Sequence, residues 1–137
     1  MSTTLPFDFK VCPIECTLDT IGGKWSINII RDLFLGKTRF SQFLESNNGL
    51  SGKVLSTRLR ELQAQGLVEK EVVEITPLRA QYKLTEKGWA LGDLLYHLAM
   101  YSMNQQPERV YNGTSLHLER DKGNLRHVFN SNPDHSK

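Results

Sequence analysis

Apolar positions along the first half of the chain recur at helical spacing. Ile14, Leu18 and Ile21 fall at i, i+4 and i+7 and stop at Gly22-Gly23; Pro13 suits a first helical position and leaves Cys12 at the cap. From Lys24 to Leu35, Trp25, Ile27, Ile29, Ile30, Leu33, Phe34 and Leu35 nearly encircle a second helix, which predicts a central place in a bundle. Gly36 ends it. Thr38 can cap a short third helix whose stripe is Phe40, Phe43 and Leu44, and Ser46-Asn47-Asn48-Gly49 breaks the chain. Ser51 is a good cap for a fourth helix running to about Gln65, with Gly66 at its end. At about 100° per residue, Leu55, Leu59 and Leu62 form one narrow stripe. Lys53, Thr57 and Arg60 then point roughly the opposite way, with Ser56 on the flank.

After Gly66 the pattern changes. Leu67, Val68, Val72, Val73 and Ile75 favour a strand, Thr76-Pro77-Leu78-Arg79 reads as a turn, and Ala80 to Leu84 makes a return strand with Tyr82 and Leu84 on one face. The result is a hairpin with Arg79 near its tip. Thr85 caps a last long helix to about Met103, where Leu91, Leu94, Leu95, Leu98 and Tyr101 form an apolar face widened by Trp89 and Met100. So broad a face exceeds what one small core covers, which predicts that part of it is a subunit interface; packing on the chain's own core is the plainer alternative. The pattern divides the chain into an arm (1–11), a domain (12–104) and an extension (105–137). The extension is disordered or loosely attached by default, although Tyr111, Leu116, Leu118, Leu125, Val128 and Phe129 could form one short ordered piece.

Composition adds bounds. A length of 137 residues fits one domain and a tail, and 39% hydrophobic with 23% charged residues excludes wholesale disorder. No apolar run approaches the ~20 residues of a membrane span, and Met1 to Lys10 lacks the features of a secretory signal, so no membrane partner and a cytoplasmic location are expected. The net charge of +2 hides a segregation. Lys24 to Arg60 holds seven basic residues against two acidic ones, or +5, and the remainder holds ten against thirteen, or −3.

A short helix, a polar turn, a basic-faced helix and a two-stranded hairpin, in that order, predict a mainly α (α+β) winged helix-turn-helix with a two-stranded wing and a C-terminal dimerisation helix. The major groove is about 12 Å wide and admits one helix, while a hairpin reaches an adjacent groove or phosphate line. Lys53 and Arg60 are candidates for phosphates or guanine edges, Ser56 and Thr57 for bases or phosphates, and Arg79 for the minor groove or backbone. Thr38 with Arg39, and Ser51, open the third and fourth helices, whose starts offer N–H groups to phosphate. A merely solvated basic face is the alternative; the placement between a helix-turn and a hairpin argues against it.

Cys12-Pro13-Ile14, Ile21-Gly22-Gly23-Lys24-Trp25, Arg39-Phe40, Leu50-Ser51, Leu55-Ser56-Thr57-Arg58-Leu59-Arg60-Glu61-Leu62, Gly66-Leu67-Val68 and Tyr82-Lys83-Leu84-Thr85-Glu86-Lys87-Gly88 together resemble the HxlR family of winged-helix transcriptional regulators. The resemblance covers Cys12 to Met103. It implies a homodimer joined through the first and last helices, including Ile14 and Leu18, with two fourth helices reading half-sites of a palindromic operator on double-stranded DNA. Gln81, where the family usually has an acidic residue, and Tyr101, near a common tryptophan, depart from the pattern.

Cys12 at a helix start, with Lys10 nearby, is placed to favour thiolate, the form that reacts with oxidants and electrophiles. The resembled family includes regulators that sense such compounds through a cysteine at the matching position, so a small electrophile or oxidant is the expected effector; a buried, inert thiol is the alternative. Cys16 lies one turn on, where the i, i+4 geometry is marginal for a disulfide. A metal held by Cys12, Cys16 and a tail histidine (His117, His127 or His135) has no ligand spacing behind it, and His97 reads as a surface or interface residue. No metal, cofactor or catalytic residue is expected. The chain has no P-loop, glycine-rich dinucleotide turn, nucleophile elbow or His-Glu-x-x-His, so an enzyme is not expected. The rival readings are a winged-helix protein-interaction module that binds no DNA, and a small-molecule- or metal-responsive regulator.

Overall fold

The computed structural model describes residues 8–112 and 118–130. In order it contains α1 (Pro13–Ile21), α2 (Ser26–Phe34), α3 (Phe40–Ser46), α4 (Gly52–Ala64), β1 (Val68–Glu74), β2 (Arg79–Leu84), α5 (Glu86–Trp89), α6 (Gly92–Gln105), α7 (Pro107–Val110) and α8 (Leu118–Asn130). The fold is a winged helix-turn-helix: mostly helical, with one two-stranded antiparallel sheet.

Local chemistry accounts for most boundaries. Cys12 caps α1 and Pro13 is its first residue. The second helix is expected from Lys24 but starts at Ser26, because the Ser26 N–H closes a turn on the Gly23 carbonyl and Trp25 takes a left-handed φ of 77° as the cap. Thr38 is expected to cap α3; Arg39 holds that position instead, and the Gln42 side-chain oxygen accepts from both the Thr38 and Arg39 N–H groups at 2.9 and 3.0 Å. Ser51 Oγ accepts from the Val54 N–H at 3.1 Å, the expected cap of α4.

The core joins Ile29, Ile30 and Leu33 of α2, Phe43 of α3, the Leu55, Leu59 and Leu62 stripe of α4, and Tyr82 and Leu84 of the wing. The strands pair from Val68 opposite Leu84 to Glu74 opposite Arg79, with an irregularity between Val72 and Glu74. The wing is tied to the helices at its base, where the Tyr82 N–H donates to the Thr38 carbonyl at 2.8 Å.

Two expectations need correction. The single long helix from Thr85 is two helices. Thr85 caps only the four-residue α5, the Leu91 N–H bonds back to Gly88, and α6 starts at Gly92. Both glycines sit where backbone comes close: a Cβ on Gly88 would strike the Leu67 carbonyl, and one on Gly92 the Phe129 carbonyl. The tail, expected to be loose by default, instead forms α7 and α8 over its described part. Phe129 is buried and stands edge-on to Phe34 with centroids 5.3 Å apart, and Arg126 lies over the Tyr96 ring at 4.4 Å. The apolar pattern around Leu118, Leu125, Val128 and Phe129 is what drives the packing; Leu116 lies outside the described residues.

Candidate nucleic-acid interface

The leucine stripe of α4 faces inward, so its opposite face is left to solvent: Lys53 and Arg60 are exposed, and Ser56 and Thr57 are half-buried beside them. Thr57 Oγ1 donates to the Lys53 carbonyl at 3.1 Å and Arg60 Nη2 lies 3.5 Å from it. Among the described residues no carboxylate lies within 4.0 Å of Lys53, Arg60 or Arg39. The start of α4 abuts α3, since a Cβ on Gly52 would rest on the Phe40 ring at 3.7 Å. The start of α3 in turn borders an open cleft of about 680 Å³ shared with the wing, where Arg39 and Ser41 stand across from Leu78 and Arg79. The exposed face of α4, the start of α3 and the wing are therefore contiguous.

Three cations of the basic stretch serve the fold instead. Arg58, two residues from Arg60, turns inward along α4: its Nε donates to the Lys24 carbonyl at 2.7 Å and its Nη1 to Glu61 at 3.1 Å. Arg31 grips Asp32, which is fully buried, at 2.9 Å and reaches the Asn47 side chain at 3.0 Å. Lys37 lies 4.0 Å from Asp32 and donates to Ser46 Oγ. Asn47 completes the cluster by donating to Asp32 at 2.8 Å and to the Phe43 carbonyl at 2.8 Å, while its own carbonyl accepts from Leu50. This network fixes the turn between α3 and α4. Sequence reading missed it; an aspartate inside an apolar helical run, with asparagines in the turn, was the available signal.

The wing differs electrically. Arg79 lies 3.6 Å from Glu74, and Lys83 lies 3.8 and 3.7 Å from Glu69 and Glu71. Its tip is apolar, with Ile75 82% and Leu78 71% exposed. Burial pushes the Tyr82 phenol above its ordinary 10.0, so this side chain stays neutral further into the alkaline range than a free tyrosine. Thr38 is half-buried and acts through its backbone as the anchor of the wing, and Ser51 spends its hydroxyl on the α4 cap.

Of the expected interface residues, Ile14, Leu18, Leu98 and Tyr101 are exposed and Leu91 and Leu94 half-buried. All but Tyr101 line an open, mainly apolar groove of about 810 Å³ between α1, α2 and α6. Leu95 is a correction. It is buried in the chain's own core, at 4% exposure, on the edge of the α6 stripe about 60° round the helix from Leu98. Cys12 is buried and makes no side-chain cap bond, and Cys16 is exposed. Of the tail histidines, His127 lies exposed on α8, and His117 and His135 fall outside the described residues. Among the described residues no group of three or more His, Cys, Asp or Glu side chains is arranged to hold a metal ion, and no helix is long and apolar enough to cross a membrane.

Residues 20–110 match the HxlR-like helix-turn-helix family. The chain belongs to the HxlR family. Over 91 residues it is 38% identical to the HTH-type transcriptional regulator YdeP of Bacillus subtilis, covering 66% of this chain and 71% of that one. The structure of the redox regulator HypR in its reduced form superposes with a TM-score of 0.66 at 34% identity, over 73% of this chain and all of that one. The reduced form of the transcriptional regulator YodB from B. subtilis gives 0.61 at 33% identity, over 71% and 97%. As an HxlR-family member the chain is a winged-helix transcriptional regulator and not an enzyme. Helix α8 lies beyond the matched residues.

Proposed function

We propose that this HxlR-family regulator binds palindromic double-stranded DNA in the cytoplasm as a homodimer, reading the major groove with α4. The observation that carries the reading is the exposed face of Lys53, Thr57 and Arg60, clear of carboxylates among the described residues and contiguous with Arg39 and the wing. The affinity comes mainly from phosphates, the sequence preference from α4. The exposed Ile14, Leu18, Leu98 and Tyr101 around the α1–α6 groove support pairing of two copies through that face. Pairing sets two α4 helices about 34 Å apart on successive major grooves. Anisotropy titration on the DNA upstream of the protein's own gene tests this. Tight binding that weakens steeply with salt is expected, whereas salt-independent or absent binding overturns it. Leu98→Asp should yield monomers by ultracentrifugation and lose the operator.

Cys12 is the candidate sensor for a small oxidant or electrophile, supported by its place at the start of α1 beside the pairing groove and by the likeness to a redox regulator. Diamide should change DNA affinity in the wild type and not in Cys12→Ser. An equal response in both would assign the effect elsewhere.

A further inference from the structure

The outer half of the wing carries apolar side chains where a hairpin end is ordinarily polar. Val72, Val73, Ile75, Pro77 and Leu78 are all exposed, at positions that usually fall to glycine, asparagine or serine. From Val72 to Ala80 the only charges are Glu74 and Arg79, which face each other at 3.6 Å, so this end has no net charge with which to attract phosphate. It also stands clear of the core. In β1 only Val68, at the root, is buried, and the strand continues to Glu74, which at a usual rise of ~3.3 Å per residue carries the tip about 20 Å outward. The outer wing borders the cleft of about 680 Å³, with Arg39 and Ser41 at the start of α3 on one side and Leu78 and the paired Glu74 and Arg79 on the other. Through Phe40, which meets Gly52, that same start of α3 abuts the start of α4.

We propose that the tip of the wing is an apolar wedge for the minor groove of DNA, where Ile75 and Leu78 press between adjacent base pairs and kink the duplex. The inference rests on the proposed reading of the major groove by α4. Successive major grooves lie about 34 Å apart, so the minor groove between them is centred about 17 Å from the one that α4 enters, within reach of a wing of this length. The sugar-phosphate strand that divides the two grooves then runs through the cleft, past Arg39, which has no carboxylate within 4.0 Å among the described residues. Ile, Leu and Pro are among the side chains that unstack base steps in proteins that bend DNA, and the unstacking is easiest at pyrimidine–purine steps such as TA and CA. A wedge needs no charge of its own, which fits a wing whose cations are already paired.

The test uses the full chain on duplexes from upstream of its own gene, with a TA or a GG step placed in the minor groove about five base pairs from the centre of a half-site. Circular-permutation electrophoresis should show the wild type bending the TA duplex by about 20° or more, and anisotropy should show it preferring TA over GG by roughly tenfold. In the double variant Ile75→Ser, Leu78→Ser, the bend and the preference should both collapse, while the salt slope stays as in the wild type because no charge is removed. Both positions are exposed, so the Tm should be kept; Ile75→Met, Leu78→Met should retain the bend. Salt-dependent binding by the wild type without a bend, or a serine variant that bends DNA as the wild type does, overturns the wedge and leaves the reading by α4 standing. Absence of DNA binding by the wild type overturns that reading and the wedge with it. Should the serine variant instead lose self-association in ultracentrifugation without DNA, the tip is a contact between copies of the chain and the wedge is overturned.

Discussion

Helix α4 and the wing flank the same surface with opposite electrostatic habits. On α4, Lys53 and Arg60 project into solvent with no carboxylate within reach among the described residues. On the wing, Arg79 and Lys83 each lie across from glutamates on the facing strand. A cation facing water beside DNA releases counterions on binding, whereas one already neutralised contributes little until its partner is given up. The difference teaches that a basic residue's place in the sequence says less about its use than the charge of whatever faces it.

The largest effect should come from beneath both regions. Asp32→Ala strips the buried network of its shared acceptor and should lower unfolding stability by about 3 kcal/mol in urea titration, taking the presentation of α4 with it. A cost under about 0.5 kcal/mol would mean that the α3–α4 turn holds itself. Next, Arg60→Ala and Lys53→Ala should each weaken operator binding by roughly 1–3 kcal/mol and flatten the log–log salt slope by about one, at unchanged stability. Arg79→Ala should cost less than about 1 kcal/mol and leave the salt slope nearly intact. If Arg79→Ala matched Arg60→Ala in both measures, the contrast between helix and wing would be broken. The smallest effect on DNA belongs to Gly92→Ala. Its new methyl group collides with the Phe129 carbonyl, so α8 should become sensitive to limited proteolysis while operator affinity changes little.

Much of the fold was legible in the chain because its signals are local. Ser51 three residues before Val54, the leucines at 55, 59 and 62, and the change to β-branched residues after Gly66 each act within one or two turns. The break between α5 and α6 was not legible, since it is set by carbonyls of Leu67 and Phe129 that crowd Gly88 and Gly92 from distant parts of the chain. The same limit applies to the interface. Helical phase separated Lys53 and Arg60 from the core and left Arg58 on the flank of the leucine stripe, but nothing local named the acceptor of Arg58, which lies 34 residues away. Leu95 was misplaced for a related reason: a wide apolar stripe does not say which edge meets the chain's own core.

The bond from Arg58 to the Lys24 carbonyl joins α4 to the corner that follows α1, next to the Gly22 and Gly23 that floor the α1–α6 groove. A second protomer settling into that groove would press on this corner, and the 2.7 Å bond carries the contact to α4. In the proposed complex the helix that would face DNA is thus geared to the surface that would face a partner, and slack in that one joint would uncouple assembly from reading.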